Sequence, residues 1–173
     1  MGNKCCVGIL ILGFLGLSGT YLYGQGGGGM RITCPAFENN QYMPRKFSCE
    51  GEGVNPELNI SSISDGTKSL ALIVDDPDAP SGTFVHWVVF DIPLTAQIIE
   101  NSLPGKLGVT TAGTGEYVSP CPPSGTHRYF FKIYALDSML NLKEGISKGA
   151  LEKAMQGHIL DKAELIGLFN RSR

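Results

Sequence analysis

The chain has no excess of positive charge. Its 173 residues carry 14 Lys and Arg against 16 Asp and Glu, a formal net charge of −2, so the basic footprint of a nucleic-acid binder is missing. Familiar catalytic and metal-binding signatures are missing too. There is no His-Glu-x-x-His and no Cys-x-x-Cys, which removes two common zinc frameworks, and no Gly-x-Ser-x-Gly to lift a serine onto a strained elbow. Asp76-Pro77-Asp78 begins an alternating acidic loop of the kind calcium uses, but Pro80 interrupts it at once. No internal repeat is visible, and cysteine is sparse. Cys5 and Cys6 precede the N-terminal apolar run, so no cysteine stands where a lipoprotein signal needs one, and Cys6 occupies the Ser/Thr position of a myristoylation motif.

What is present divides into three sections. Residues 1–23 contain Lys4 and then an uncharged run from Cys5 to Tyr23, the pattern of a signal-peptide core or a short membrane anchor, so the chain is expected to be exported or held at a membrane. Residues 24–29, Gly-Gln-Gly-Gly-Gly-Gly, form a flexible linker. Residues 30–173 supply one folded domain; a hydrophobic content of 42% is ample for its core. Export leaves Cys34, Cys49 and Cys121 in that domain. One of three pairings or none is open, and Cys34 reads as a small buried group.

Short apolar runs bounded by turn formers predict strands at Arg31–Cys34, Leu58–Ser61, Leu70–Val74, Phe84–Ile92 and Phe130–Leu136. Phe37, Tyr42 and Phe47 are candidate core anchors, and 94–114 reads as loop. Two-residue alternation puts Phe84, His86, Val88, Phe90 and Ile92 on one face. Ser147 caps a predicted helix through Met155, with Leu151, Ala154, Met155 and His158 along one side. Residues 159–169 fit helix or strand equally.

The informative stretches are two stiff loops, each leading into a strand with a histidine near its start. Pro77 and Pro80 fix the backbone of the first, Asp75-Asp76-Pro77-Asp78-Ala79-Pro80, before His86. The second is Ser119-Pro120-Cys121-Pro122-Pro123-Ser124-Gly125-Thr126, before His127-Arg128-Tyr129. Aspartates in turns commonly cap backbone N–H groups, and a lone core histidine is commonly structural. Two such loops together point to a pocket.

In order and spacing these paired motifs resemble the phosphatidylethanolamine-binding protein family, in its bacterial and archaeal Raf kinase inhibitor-like branch, over roughly Ile32 to Phe169. The resemblance implies a mostly β protein, an antiparallel β-sandwich with short C-terminal helices and a small surface pocket for a phosphate-like group. By motif position that pocket is lined by Asp76, Pro77, Pro80, His86, Tyr117, Cys121, Pro122, His127 and Tyr129. Two departures bear on its wall: the segment from Leu103 to Tyr117 is short for this branch, and Val118-Ser119 stand where the family pattern has Gly-Gly.

The chemistry of these residues fits anion binding. Imidazoles, a tyrosine hydroxyl and free backbone N–H groups surround a phosphoryl group without a dedicated lysine, while Asp76 can hold one imidazole nitrogen and leave the other to donate outward. The expected ligand is a phosphate-bearing small molecule, nucleotide or lipid headgroup, bound without turnover. No cofactor is implied. Two alternatives stand beside it: a protein-interaction module that inhibits a protease or kinase, and a hydrolase using Ser124 or Cys121 with His127. The oligomeric state, a homodimer included, is left open.

Overall fold

The computed structural model describes Met1 and residues 29–172. The expected N-terminal segment and most of the linker lie outside the described residues. Nine strands follow in order: β1 Arg31–Thr33, β2 Gln41–Tyr42, β3 Leu58–Ser61, β4 Ser69–Asp76, β5 Phe84–Pro93, β6 Gln97–Ile98, β7 Lys106–Leu107, β8 His127–Leu136 and β9 Ile159–Phe169. One α-helix, α1 Lys148–Met155, precedes β9. The architecture is the expected mostly β one, with one short α-helix among the described residues in place of several C-terminal ones. Residues 159–169 resolve as strand because they pair with β8 along their length and the alternate residues Leu165, Gly167 and Phe169 are buried, Leu165 and Phe169 in the inter-sheet core.

A three-stranded sheet, β1-β3-β6, faces a six-stranded sheet ordered β2-β9-β8-β4-β5-β7. All pairings within the sheets are antiparallel except β2 with β9. β4 is buried along its whole length, since both faces of the large sheet are covered. Leu70, Leu72 and Val74 join Ile32, Ile60, Trp87, Val89, Tyr129 and Phe131 between the sheets, whereas Ala71 and Ile73 meet Val88, Phe90, Leu151 and Met155 under α1. Ser147 Oγ accepts from Ala150 N at 3.2 Å and starts that helix. Among the described residues no helix is long and apolar enough to cross a membrane.

Three local expectations are corrected. Tyr42 lies on the two-residue edge strand and is 56% exposed, so only Phe37 and Phe47 of the three anchors are buried. The 94–114 stretch holds two short strands, β6 and β7. The single-face reading of β5 fails because the strand is bulged twice. Val74 pairs with Trp87 and Asp75 with Val85, leaving His86 as the extra residue; further on, Leu70 pairs with Ile92 and Leu72 with Val89. Asp91, in the second irregularity, has φ 51°. The first bulge keeps Trp87 and Val89 in the inter-sheet core and turns Val88 and Phe90 to the α1 side, with His86 beside Tyr129 at the sheet's end.

Candidate functional site

β4 delivers two carboxylates to opposite faces of the large sheet. Asp75, 1% exposed, points to the α1 side and is held by Lys132 Nζ at 2.8 Å and by Lys148 Nζ, a buried ion-pair cluster that anchors the helix. Asp76, 3% exposed, points to the inter-sheet side. Its Oδ2 accepts from His127 Nδ1 at 2.7 Å, and its Oδ1 accepts from the Asp78 backbone N–H at 2.8 Å. Asp78 in turn accepts from the backbone N–H, Nε and Nη2 of Arg128. That guanidinium holds its carboxyl down at about 2. The first loop is thus pinned to the start of β8 on both sides of Pro77.

The second loop is fixed through His86. Its Nδ1 lies 2.6 Å from the Val118 carbonyl oxygen, which can only accept, so Nδ1 carries the proton and Nε2 faces away. Val118 N–H donates back to the His86 carbonyl at 2.9 Å. Burial lowers the pKa of His86, against smaller raising contributions from Val118 and Asp76.

Cys49 and Cys121 form a disulfide, with Cα atoms 5.4 Å apart, and Cys49 N–H donates to the Pro120 carbonyl. This brace settles the open cysteine pairing. It also corrects the candidate role of Cys121, whose sulfur is bonded to Cys49 and is no thiolate nucleophile. Cys34 is free and half-buried.

A cavity of about 180 Å³ lies between the loops. Of the sequence-derived candidates, Asp76, Pro80, His86, Cys121, Pro122, His127 and Tyr129 line it, together with Phe84 and the Val118-Ser119 wall. Pro77 and Tyr117 do not. Pro77 braces the loop from outside. Tyr117 packs edge-on against Trp87, with ring centroids 5.6 Å apart, and both line a separate cavity of about 400 Å³ that holds no histidine. The Tyr129 hydroxyl is buried and has no hydrogen-bond partner; burial, then the charge of Asp76, raises its pKa. The Nε2 atoms of His86 and His127 likewise have no partner among the described residues.

Sequence reasoning missed the Val118 carbonyl as the group that orients His86, because a main-chain acceptor leaves no mark in residue type. It also gave no role to Arg128, although the residue stands inside the quoted motif. Among the described residues no three His, Cys, Asp or Glu side chains converge as a metal cage would require.

The chain belongs to the phosphatidylethanolamine-binding protein family, whose sequence profile matches residues 33–170. A UPF0098 protein of Pyrococcus horikoshii is 48% identical over 147 residues, covering 78% of this chain and 74% of that one. Another, from Methanothermobacter thermautotrophicus, is 45% identical over 150 residues, 82% of this chain and 99% of its own. Among solved structures, a phosphatidylethanolamine-binding protein homolog of Chlamydia trachomatis superposes with a TM-score of 0.81 at 39% identity, covering 83% of this chain and 99% of that one. Escherichia coli YbcL, at 23% identity and a TM-score of 0.77, shares the fold. The names of these relatives carry no enzymatic activity.

Proposed function

We propose that the domain binds, without turnover, the phosphate group of a small molecule or lipid headgroup in the cavity between the two proline-braced loops. One observation carries this reading: two imidazole Nε2 atoms and a buried tyrosine hydroxyl, all without partners, line one cavity. Buried polar atoms are normally satisfied, so the Tyr129 hydroxyl, buried without a partner at the cavity wall, implies a group that completes it, and the two imidazole Nε2 atoms, open to the cavity, are placed to bind the same group. A volume of about 180 Å³ is below the roughly 300–1,000 Å³ of sites that enclose drug-sized ligands, so the phosphate enters and its substituent stays outside. Phe84 and the prolines give that substituent an apolar rim.

Protonation completes the fit. A phosphomonoester dianion with a charged His86, and a monoanion with neutral His86, contain the same number of protons, so binding takes up a proton either way. Asp76 is hydrogen-bonded to His127 Nδ1 and the Asp78 N–H, so its oxygens do not compete for the ligand-facing nitrogens, and its charge favours the protonated imidazole of His86 that an anion needs. Three charge-assisted hydrogen bonds of about 2–3 kcal/mol each, against an association cost of at least about 4 kcal/mol, leave about 2–5 kcal/mol, a dissociation constant between tens of millimolar and just under one millimolar for a bare phosphate.

A hydrolase reading finds less support, since Cys121 is in the disulfide and Ser124 does not line the cavity. The disulfide does support a place outside the reducing cytosol, in keeping with an exported or membrane-held chain.

Calorimetric titration of the full chain with phosphorylethanolamine tests the proposal. Binding in the millimolar range, tightening as pH falls from 8 to 6 and reduced at least about tenfold in His86→Ala, would support it. Heats indistinguishable between wild type and His86→Ala would refute it.

A further inference from the structure

Strand register sorts the domain into two ends. β4 finishes, and β5 and β8 begin, at Asp76, Phe84 and His127, where the phosphate cavity lies. β4 begins at Ser69, opposite both Pro93 and Leu136, and Leu136 pairs with Ile159 at the start of β9. Along β8 the two ends are about 30 Å apart. The chain enters the domain at the second end: Met30 N–H donates to Asp161 Oδ2 at 2.7 Å, and Gly29 lies against the same carboxylate.

The exposed large apolar side chains of the domain are Tyr42, Leu94, Ile99, Leu103, Met139, Ile159 and Leu160. Leu94, Met139, Ile159 and Leu160 all follow or open strands at the entry end. Scattered exposed leucines need no explanation, but this group shares the end of the sheet from which an uncharged apolar run, Cys5 to Tyr23, is tethered. Fixed charges of both signs stand there, Asp65 and Asp161 against Lys68 and Lys162, and His158 hydrogen-bonds Asp137 at 2.8 Å. Apolar contact, not attraction to anionic headgroups, is what such a face offers.

We propose that this end rests on the bilayer that holds residues 5–23, with Leu94, Met139, Ile159 and Leu160 in contact with lipid, so that the phosphate cavity opens on the side away from the membrane. Residues 24–29 reach at most about 21 Å when fully extended, less than the length of the sheet, so the domain cannot invert to stand on its cavity end, and with the entry end resting on lipid the cavity is held off the same bilayer. The phosphate group therefore comes from solution and not from the headgroups of the anchoring membrane. This source assignment rests on the cavity reading above; the docking face stands independently of it.

Trp87, the single tryptophan, lies toward the cavity end and serves as an internal probe. The full chain is reconstituted in phosphatidylcholine vesicles with and without chain-brominated lipid, as wild type and as Leu160→Trp and Leu94→Trp. Trp87 emission is expected to be unchanged by bromine, while the added tryptophans lose emission. Phosphorylethanolamine affinity is expected to be equal in vesicles with and without phosphatidylethanolamine. Quenching of Trp87 as strong as that of the added residues, or no quenching of either added residue, would overturn the docking face, as would failure of the chain to sediment with vesicles. Competition by phosphatidylethanolamine would overturn the source assignment. The expected quenching with no affinity for phosphorylethanolamine would overturn the cavity reading and leave the docking face in place.

Discussion

Single residues carry the pH behaviour. His86 is 4% exposed, and its burial favours the neutral ring in the folded chain relative to an ordinary histidine near 6.5. Its contribution to stability is therefore intact above about pH 6.5 and is lost as pH falls below that value, by at most about 1.4 kcal/mol per unit until the lowered folded value is passed. Denaturant midpoints of the ligand-free protein between pH 7 and 5 should show this loss, and His86→Gln should flatten it. Phosphate should oppose the loss, since the complex takes up the proton that the empty site excludes. Tyr129 behaves differently: its hydroxyl is buried without a partner, so Tyr129→Phe should leave stability unchanged or raise it by up to about 1 kcal/mol, while phosphorylethanolamine affinity drops severalfold. Much at this scale was legible beforehand. Proline placement around Asp76 and before His127 announces rigid loops, and carboxylate-to-imidazole pairing is ordinary chemistry for those side chains. Tyr117 was not legible, because the exchange of backbone hydrogen bonds between His86 and Val118 decides the path of the second loop, and Tyr117 turns to Trp87 instead of the cavity.

Elements decide what the residues can reach. The bulge at His86 places it beside Tyr129, and regular alternation, the only guide in the sequence, gives the wrong face for Trp87, Val88, Val89 and Phe90 until the second irregularity returns Ile92 to the inter-sheet side. Bulges of this type have no residue signature here: Val85-His86-Trp87-Val88 reads as unbroken strand. The turn from Arg45 to Gly53 acts as a buttress for the second loop, through the disulfide and the Cys49 to Pro120 bond. Gly51 is packed so closely that a Cβ there would lie 2.4 Å from the Arg45 carbonyl oxygen and 2.7 Å from Lys46 Cα. Gly51→Ala should therefore lower stability by about 1–3 kcal/mol and weaken phosphate binding by displacing the buttress. Joining residues 72 apart, the disulfide restricts the unfolded chain, so the Cys49→Ser, Cys121→Ser double variant should lose about 4 kcal/mol by chemical denaturation. The resemblance to a family made the sandwich legible, while the extent of β9 was not: its alternation is blurred by Gly167 and by exposed residues in its first half.

On the scale of the whole molecule, a two-sheet sandwich gathers the ends of β4, β5 and β8 into one rim, and loops drawn from positions 76 to 127 meet there around a cavity. The chain has three histidines, and the third, His158, lies at the other end of the sheet on Asp137. That separation makes nitrogen-detected NMR of the imidazoles the most direct test. On titration with phosphorylethanolamine, the Nε2 resonances of His86 and His127 should move together and saturate with a single dissociation constant, while His158 stays fixed. Movement of all three in parallel, or none at His86 and His127 at saturating ligand, would contradict the assignment of this cavity to phosphate.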